Sequence, residues 1–332
     1  MVSELSASQA DAPGSGAAGS GVQESGIQES GKQESGIQGA GVNDDIVAAF
    51  TIDGAPARGR YAKLGSRAID PILCRHEYPR PVALLLGEAL SLAAIVGSLL
   101  KFDGKLTVQA EGDGPAPLLV TEYRSDGGLR GYARVSDRDL GDGRLSPGEL
   151  IGAGALTLTL DQGDDTSQMQ GVVPLEGDTL AQCAELYFER SEQTPTRIKL
   201  AVGQEILGDK AVWRAGGALI QRVAGDDARG FTEDDWVRAR LLFDTLTDAE
   251  LLDPALSIER ALFRLFHEDG VRMSDPRALE DRCTCDRERL AALLHRFTPD
   301  ELTDLVEPDG FLHARCQFCA RLYLLDPAAL AG

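Results

Sequence analysis

The sequence predicts an α+β protein with three parts. These are an N-terminal domain of antiparallel β-sheets with packed helices, a helical linker, and a small C-terminal α+β module built around four cysteines. Three observations predict it. Apolar residues recur with period two in separate stretches between residues 105 and 202, the mark of half-buried strands. From Phe231 the period turns helical. Four of the six cysteines then fall within the last fifty residues, as Cys283-x-Cys285 and Cys316-x-x-Cys319. The segments are a low-complexity tail over 1–43, a core domain over 44–225, a linker over 226–280 and a four-cysteine domain over 281–332.

The tail repeats GVQES, GIQES, GKQES and GIQGA from Gly21. Such a segment has too little apolar surface to offset the entropy of ordering it, so disorder is expected. It lacks the basic start and apolar run of a signal peptide, which points to a cytoplasmic protein. Acidic residues number 53 against 33 basic ones, a formal charge of −20. That charge repels phosphate backbones and anionic lipid, so neither nucleic acid nor membrane is an expected partner. Residues 82–100 are nearly long and apolar enough to span a bilayer, yet carry Glu88 near the middle. With no second such stretch, a buried core helix is expected, opened by Pro79 and Pro81.

Within the core domain, Leu106, Val108 and Ala110 alternate with polar neighbours, as do Leu156, Leu158 and Leu160. Ile198, Leu200 and Val202 repeat the pattern. Turn-forming runs (EGDGP at 111–115, SDGG at 125–128, LEGD at 175–178) sit at the joints. Asp178 or Thr179 is placed to cap a helix that carries Leu180, Cys183, Ala184 and Tyr187 on one face. In the linker, Ile258, Leu262, Leu265 and Phe266 form an amphipathic stripe, and Trp236, Leu242 and Phe243 add apolar surface before it. A helical layer packed on a neighbour accounts for part of this pattern. The sharper expectation is an apolar surface whose packing depends on the module that follows.

The module explains the cysteines. Two close pairs separated by thirty residues make two bidentate clips, and four thiolates complete a tetrahedral zinc site with bonds of about 2.3 Å. One Zn2+ per chain on Cys283, Cys285, Cys316 and Cys319 is expected. A short helix with Leu290, Leu293, Leu294 and Phe297, a capping box at TPDE (298–301), and a strand–turn–strand with Cys316 and Cys319 at its turn fill out a small unit. Its core is thin, and zinc binding worth roughly 10–16 kcal/mol in small domains decides whether such a unit folds. Thiolate is also the form that oxidants attack. An oxidised sulfur is a poor ligand, so zinc leaves and each sulfur finds a partner two or three positions away.

Other motifs fall short. Asp137 to Glu149 imitates a calcium loop, but Gly141 stands where the fifth position needs an oxygen ligand and Glu149 falls one place late. Cys74 lies near His76, and Cys183 lies in a helix; both read as small buried hydrophobes. There is no phosphate loop, dinucleotide fingerprint or nucleophile elbow, and no catalytic residues are assigned. Two other classes stay open on the residues alone: a zinc-ribbon interaction regulator and a thiol-disulfide oxidoreductase.

The Cys-x-Cys and Cys-x-x-Cys ending resembles that of the heat-shock protein 33 family, the bacterial redox-regulated holdase chaperones. The likeness extends to LKFDGKLTVQAEGDGP at 100–115, GVVPLEGDTLAQCAELYFERSEQTPTRI at 171–198 and AGGALIQRV at 215–223. The tail and the stretch around Ser136 to Ser146 depart from the family pattern. The resemblance implies a non-enzymatic, ATP-independent chaperone that is zinc-bound and inactive when reduced. Oxidation, aided by unfolding stress, forms two disulfides, here Cys283–Cys285 and Cys316–Cys319. Zinc release and unfolding of the linker follow, the active form is a homodimer, and the partners are unfolding client proteins. The uncovered surface is then Trp236, Leu242, Phe243, Ile258, Leu262, Leu265 and Phe266.

Overall fold

The computed structural model describes residues 44–100, 103–136, 139–162, 168–223, 230–294 and 297–327. The tail over 1–43, the boundary at Gly225 and the residues Asp137 and Arg138 that open the imitation calcium loop lie outside them, as does the Leu293 side chain. The chain begins with β1 (Ile46–Ile52), β2 (Ala57–Leu64), α1 (Asp70–Leu73) and α2 (Arg80–Gly97). Next come β3 (Lys105–Glu111), β4 (Leu118–Arg124), β5 (Gly128–Arg134), α3 (Pro147–Ile151), β6 (Ala155–Asp161), β7 (Met169–Pro174), α4 (Leu180–Tyr187), β8 (Thr196–Leu207) and β9 (Lys210–Arg222). Helices α5 (Glu233–Asp244), α6 (Asp248–Leu252) and α7 (Ile258–Phe266) follow, then the short strands β10 (Val271–Met273), β11 (Arg277–Ala278) and β12 (Glu280–Asp281). The C-terminal part holds α8 (Arg287–Leu294), α9 (Pro299–Asp304), β13 (Leu312–Arg315) and β14 (Leu322–Leu325).

Two six-stranded sheets organise these elements. The first runs β10-β1-β2-β9-β8, with β11 also on β1; the second runs β12-β5-β4-β3-β6-β7. All their pairings are antiparallel except β12 on β5. Helix α2 lies between the sheets, touching β2, β8 and β9 of one and β3, β4 and β5 of the other. A helix buried on all sides has no polar face to keep wet. That is why its sequence is apolar all round and why 94% of its residues are buried. It is the one described helix long and apolar enough to cross a membrane. The α+β class and the core helix are as expected, and Thr179 makes the capping box at the start of α4.

The outer face of the first sheet carries the linker helices. Trp236, Phe243, Ile258, Leu262, Leu265 and Phe266 are buried there with Ala48, Phe50, Tyr61, Ala218 and Ile220 of the sheet, and Leu242 packs alongside. Phe50 and Phe266 stack with ring centroids 6.3 Å apart. The glycines of AGG in β9 permit this double cover. A Cβ on Gly216 would sit 2.6 Å from the Leu251 carbonyl oxygen of α6, and one on Gly217 3.2 Å from the Ser91 side chain of α2 on the opposite face. Three cations of the sheet also hold the linker. Lys199 Nζ donates to the carbonyls of Asp244 (2.6 Å) and Leu246 (2.7 Å), Arg214 Nε to that of Leu252 (3.0 Å), and Lys63 Nζ to those of Asp253 and Leu256. These satisfy carbonyls that a helix end leaves open.

The apolar stripe packs on the first sheet, as a helical layer on a neighbour would, and no described residue of the cysteine module joins that cluster. One expectation needs correction. The segment expected to stay helical through residue 280 leaves the helix at Phe266 and becomes extended. Strands β10 and β11 extend the first sheet along β1, and β12 joins the second. Strands of two or three residues are too short to show a period in sequence.

Candidate metal centre

The four cysteines meet because two short elements present them. Cys283 and Cys285 lie between β12 and α8, while Cys316 directly follows β13 and Cys319 lies in the turn before β14. That turn is held by Cys316 N–H to Arg321 O (2.9 Å) and Ala320 N–H to Cys316 O (2.8 Å). Ala320 takes φ of +56°, a left-handed conformation that costs a Cβ-bearing residue about 1–2 kcal/mol. The module has its own small core of Leu302, Leu312 and Leu325, with Leu290 and Leu294 against it. Thr298 and Glu301 make the expected capping box at α9. Phe297, expected on the face of α8, lies beyond the helix end and is exposed.

The sulfurs all lie within 4.8 Å of one another. Cys283 and Cys316 are 3.8 Å apart, Cys285 and Cys319 3.3 Å. A tetrahedron with metal–sulfur bonds of about 2.3 Å has edges of about 3.8 Å, so the set fits a four-coordinate thiophilic ion. Among the described residues this is the only cluster of three or more such groups placed to hold a metal ion. The thiols oppose one another's ionisation. Burial pushes Cys283 up, and burial and its neighbours push Cys319 up to about 12. Burial also works against the Cys285 thiolate, but hydrogen bonds from Tyr323 and the other thiols overcome it and bring Cys285 down to about 7. One negative charge is readily held here; four need a cation at the centre.

The module docks on the second sheet at residues that sequence reasoning missed. Arg130 of β5 donates to Cys283 Sγ (3.7 Å), pairs with Glu122 (2.6 Å), and lies over the ring of Phe318, 4.2 Å from its centroid. Tyr132 meets the same ring edge-on at 6.5 Å. Arg75 donates to the Phe318 carbonyl (2.8 Å) and pairs with Asp281, and His76 Nε2 lies 2.8 Å from the Gln317 carbonyl. The one sequence signal was an aromatic residue between two metal-ligand cysteines, where a free turn prefers small or polar residues.

Of the motifs set aside in sequence, Cys74, Cys183 and Glu149 stay apart from the four sulfurs, while His76 reaches the turn that carries two of them. Cys74, expected as a small buried hydrophobe, is instead exposed just past α1, and its Sγ lies 3.5 Å from Asp70, so partial burial and the carboxylate push its thiol up. Its neighbour His76 turns to Gln317. Cys183 is buried, which pushes its thiol up as well. Glu149 closes a capping box with Ser146 at the start of α3. The expected client-binding residues all lie on the outer face of the first sheet, six of them buried and Leu242 half-buried.

Fold and site define an α+β protein of two stacked sheets that carries a four-thiol centre on a small docked module. The family model described as Hsp33 protein matches residues 45–326. The 33 kDa chaperonin of Caulobacter vibrioides is 52% identical over 291 residues, 86% of this chain and 96% of that one. The 33 kDa chaperonin of Pseudomonas aeruginosa is 40% identical over 286 residues, 85% and 92% of the two chains. The crystal structure of the 33 kDa chaperonin, heat shock protein 33 homolog, of Thermotoga maritima superposes with a TM-score of 0.70 at 24% identity, covering 86% of this chain and 97% of that one. This chain belongs to the Hsp33 family.

Proposed function

We propose that this chain is a redox-regulated, ATP-independent holdase chaperone of the cytoplasm, with no catalytic residues. In the reduced state Cys283, Cys285, Cys316 and Cys319 hold one Zn2+, which supplies the charge that keeps four thiolates together. Peroxide oxidises the thiolates in pairs, Cys283 with Cys285 and Cys316 with Cys319. Each pair gives up two electrons and joins as a disulfide, while one peroxide takes the electrons and two protons to become two waters. A sulfur tied into a disulfide is a poor ligand, and without its metal the small module loses its main source of stability. The linker then detaches and its stripe from Trp236 to Phe266 meets unfolding clients; the active form is a homodimer.

The observation that carries this reading is the burial of that stripe. It is a large apolar surface, buried except for half-buried Leu242, on helices joined to a four-thiol module by three strands of two or three residues. Light scattering of a thermally unfolding client tests it. Peroxide-treated protein, but not reduced protein, is expected to suppress aggregation, with peptide mass mapping finding the two local disulfides. Equal suppression by both forms, or insulin reduction in place of suppression, sinks the reading.

A further inference from the structure

We propose that Arg130 is a positioning residue of the metal centre, supplied by the other domain, and that it makes metal retention and docking of the module a single equilibrium. The inference deepens the reading above and rests on the four cysteines being zinc thiolates. One guanidinium meets three partners at once: Cys283 Sγ at 3.7 Å, Glu122 at 2.6 Å and the Phe318 ring at 4.2 Å. The Glu122 pair fixes the fork on β4 and β5, and both side chains are largely buried. The sulfur and the ring belong to different clips. Cys283 comes from the first pair, and Phe318 lies between the two cysteines of the second.

A planar fork fixed on a rigid strand therefore spans the two halves of the ligand set. A hydrogen bond to a thiolate stabilises its charge, and a cation against an aromatic face holds the Cys316–Cys319 turn in place. Arg75 and His76 add bonds to the carbonyls of Phe318 and Gln317. Linkage is reciprocal. If the docked sheet strengthens metal binding, the bound metal strengthens docking by the same factor. Loss of thiolate charge at Cys283 then weakens the ligand and its contact with the sheet together.

The test uses the full reduced chain loaded with zinc or cobalt(II) alone. Arg130→Met is combined with Glu122→Gln, so that no carboxylate is left unpaired. Arg130→Lys keeps a charge beside Glu122, and so the strand, but cannot reach all three partners. Both are expected to hold one metal and to surrender it to a chromophoric chelator about 10- to 100-fold faster than wild type, as for lost partners of metal ligands generally, with the smaller effect in the lysine variant. The sulfur-to-cobalt charge-transfer band is expected to move to longer wavelength, because a thiolate without its hydrogen bond gives up an electron more easily. Amide exchange across the Cys316–Cys319 turn rises with it. A merely structural role for Arg130 leaves the cobalt band in place. A transfer rate or a band at the wild-type value in the methionine variant overturns the proposal while leaving the zinc assignment standing. A reduced wild-type chain without zinc overturns both.

Discussion

Glu88 is a carboxylate in the middle of α2, only 6% exposed, with Arg144 as its partner. Burial raises its pKa above the ordinary 4.5, and the pull of Arg144 does not cancel that rise. The unfolded chain therefore binds fewer protons at this position than the folded one between the ordinary value and the raised one, so stability falls as pH rises through that window. Above it the full penalty of the buried charge is present. Glu88→Gln removes the titration and leaves Arg144 half in solvent. The variant is expected to be more stable than wild type at neutral pH. Urea midpoints measured across pH should show the gap closing as pH falls toward 4.5. A variant less stable at neutral pH means that the ion pair outweighs burial.

At the scale of elements, Leu262 and Phe263 are neighbours on α7 with opposite surroundings: Leu262 is 1% exposed and Phe263 62%. Leu262→Ala removes packing against the first sheet and is expected to destabilise by about 2–5 kcal/mol. Phe263→Ser touches little and is expected to stay within about 0.5 kcal/mol of wild type. The first variant should suppress client aggregation without oxidant and show faster amide exchange over α5–α7; the second should do neither. If Leu262→Ala exchanges like wild type, the stripe does not hold the linker. The contrast was legible in sequence, because the helical period separates positions 262 and 263. The strands with clean alternation, β3, β6 and β8, were legible for the same reason. Strands β10 to β12 were not, since two or three residues carry no period and their pairing partners lie more than 150 residues away. The cysteines of the centre were legible from spacing alone. Arg130 and Arg75 were not, because Arg130 meets Cys283 across 153 positions and Arg75 meets Phe318 across 243, and one sequence holds no record of such distances.

The whole molecule ties its parts in series. The linker helices lead into β10 and β11 on the first sheet, then through buried Leu279 to β12 on the second, and two residues later to Cys283. The path from the four-thiol centre to the linker runs along this strap. Each of its strands contributes only two or three residues of pairing, and the module beyond has three buried leucines as its core. Removing zinc with a chelator from reduced protein should therefore raise amide exchange in a fixed order: residues 283–326 first, the strap over 271–281 next, and α5–α7 last. The long strands β1 to β9 should stay protected, because they pair with one another and pack on α2, and those contacts outlast the loss of the linker helices from the first sheet. The cations Lys63, Lys199 and Arg214 make the last step the hardest, since they must give up the carbonyls of α5 and α6 and the loop after it. That predicts a zinc-free, still reduced state with the module open and the linker largely in place. Unfolding stress then has a defined task, which is to break those bonds and free the stripe. Exchange mass spectrometry at two temperatures decides it. Linker protection should persist after zinc loss in the cold and collapse on mild heating, with aggregation suppression appearing only then. If oxidised protein suppresses aggregation while α5–α7 stay as protected as in the zinc-bound form, the linker is not the switch, and clients bind elsewhere.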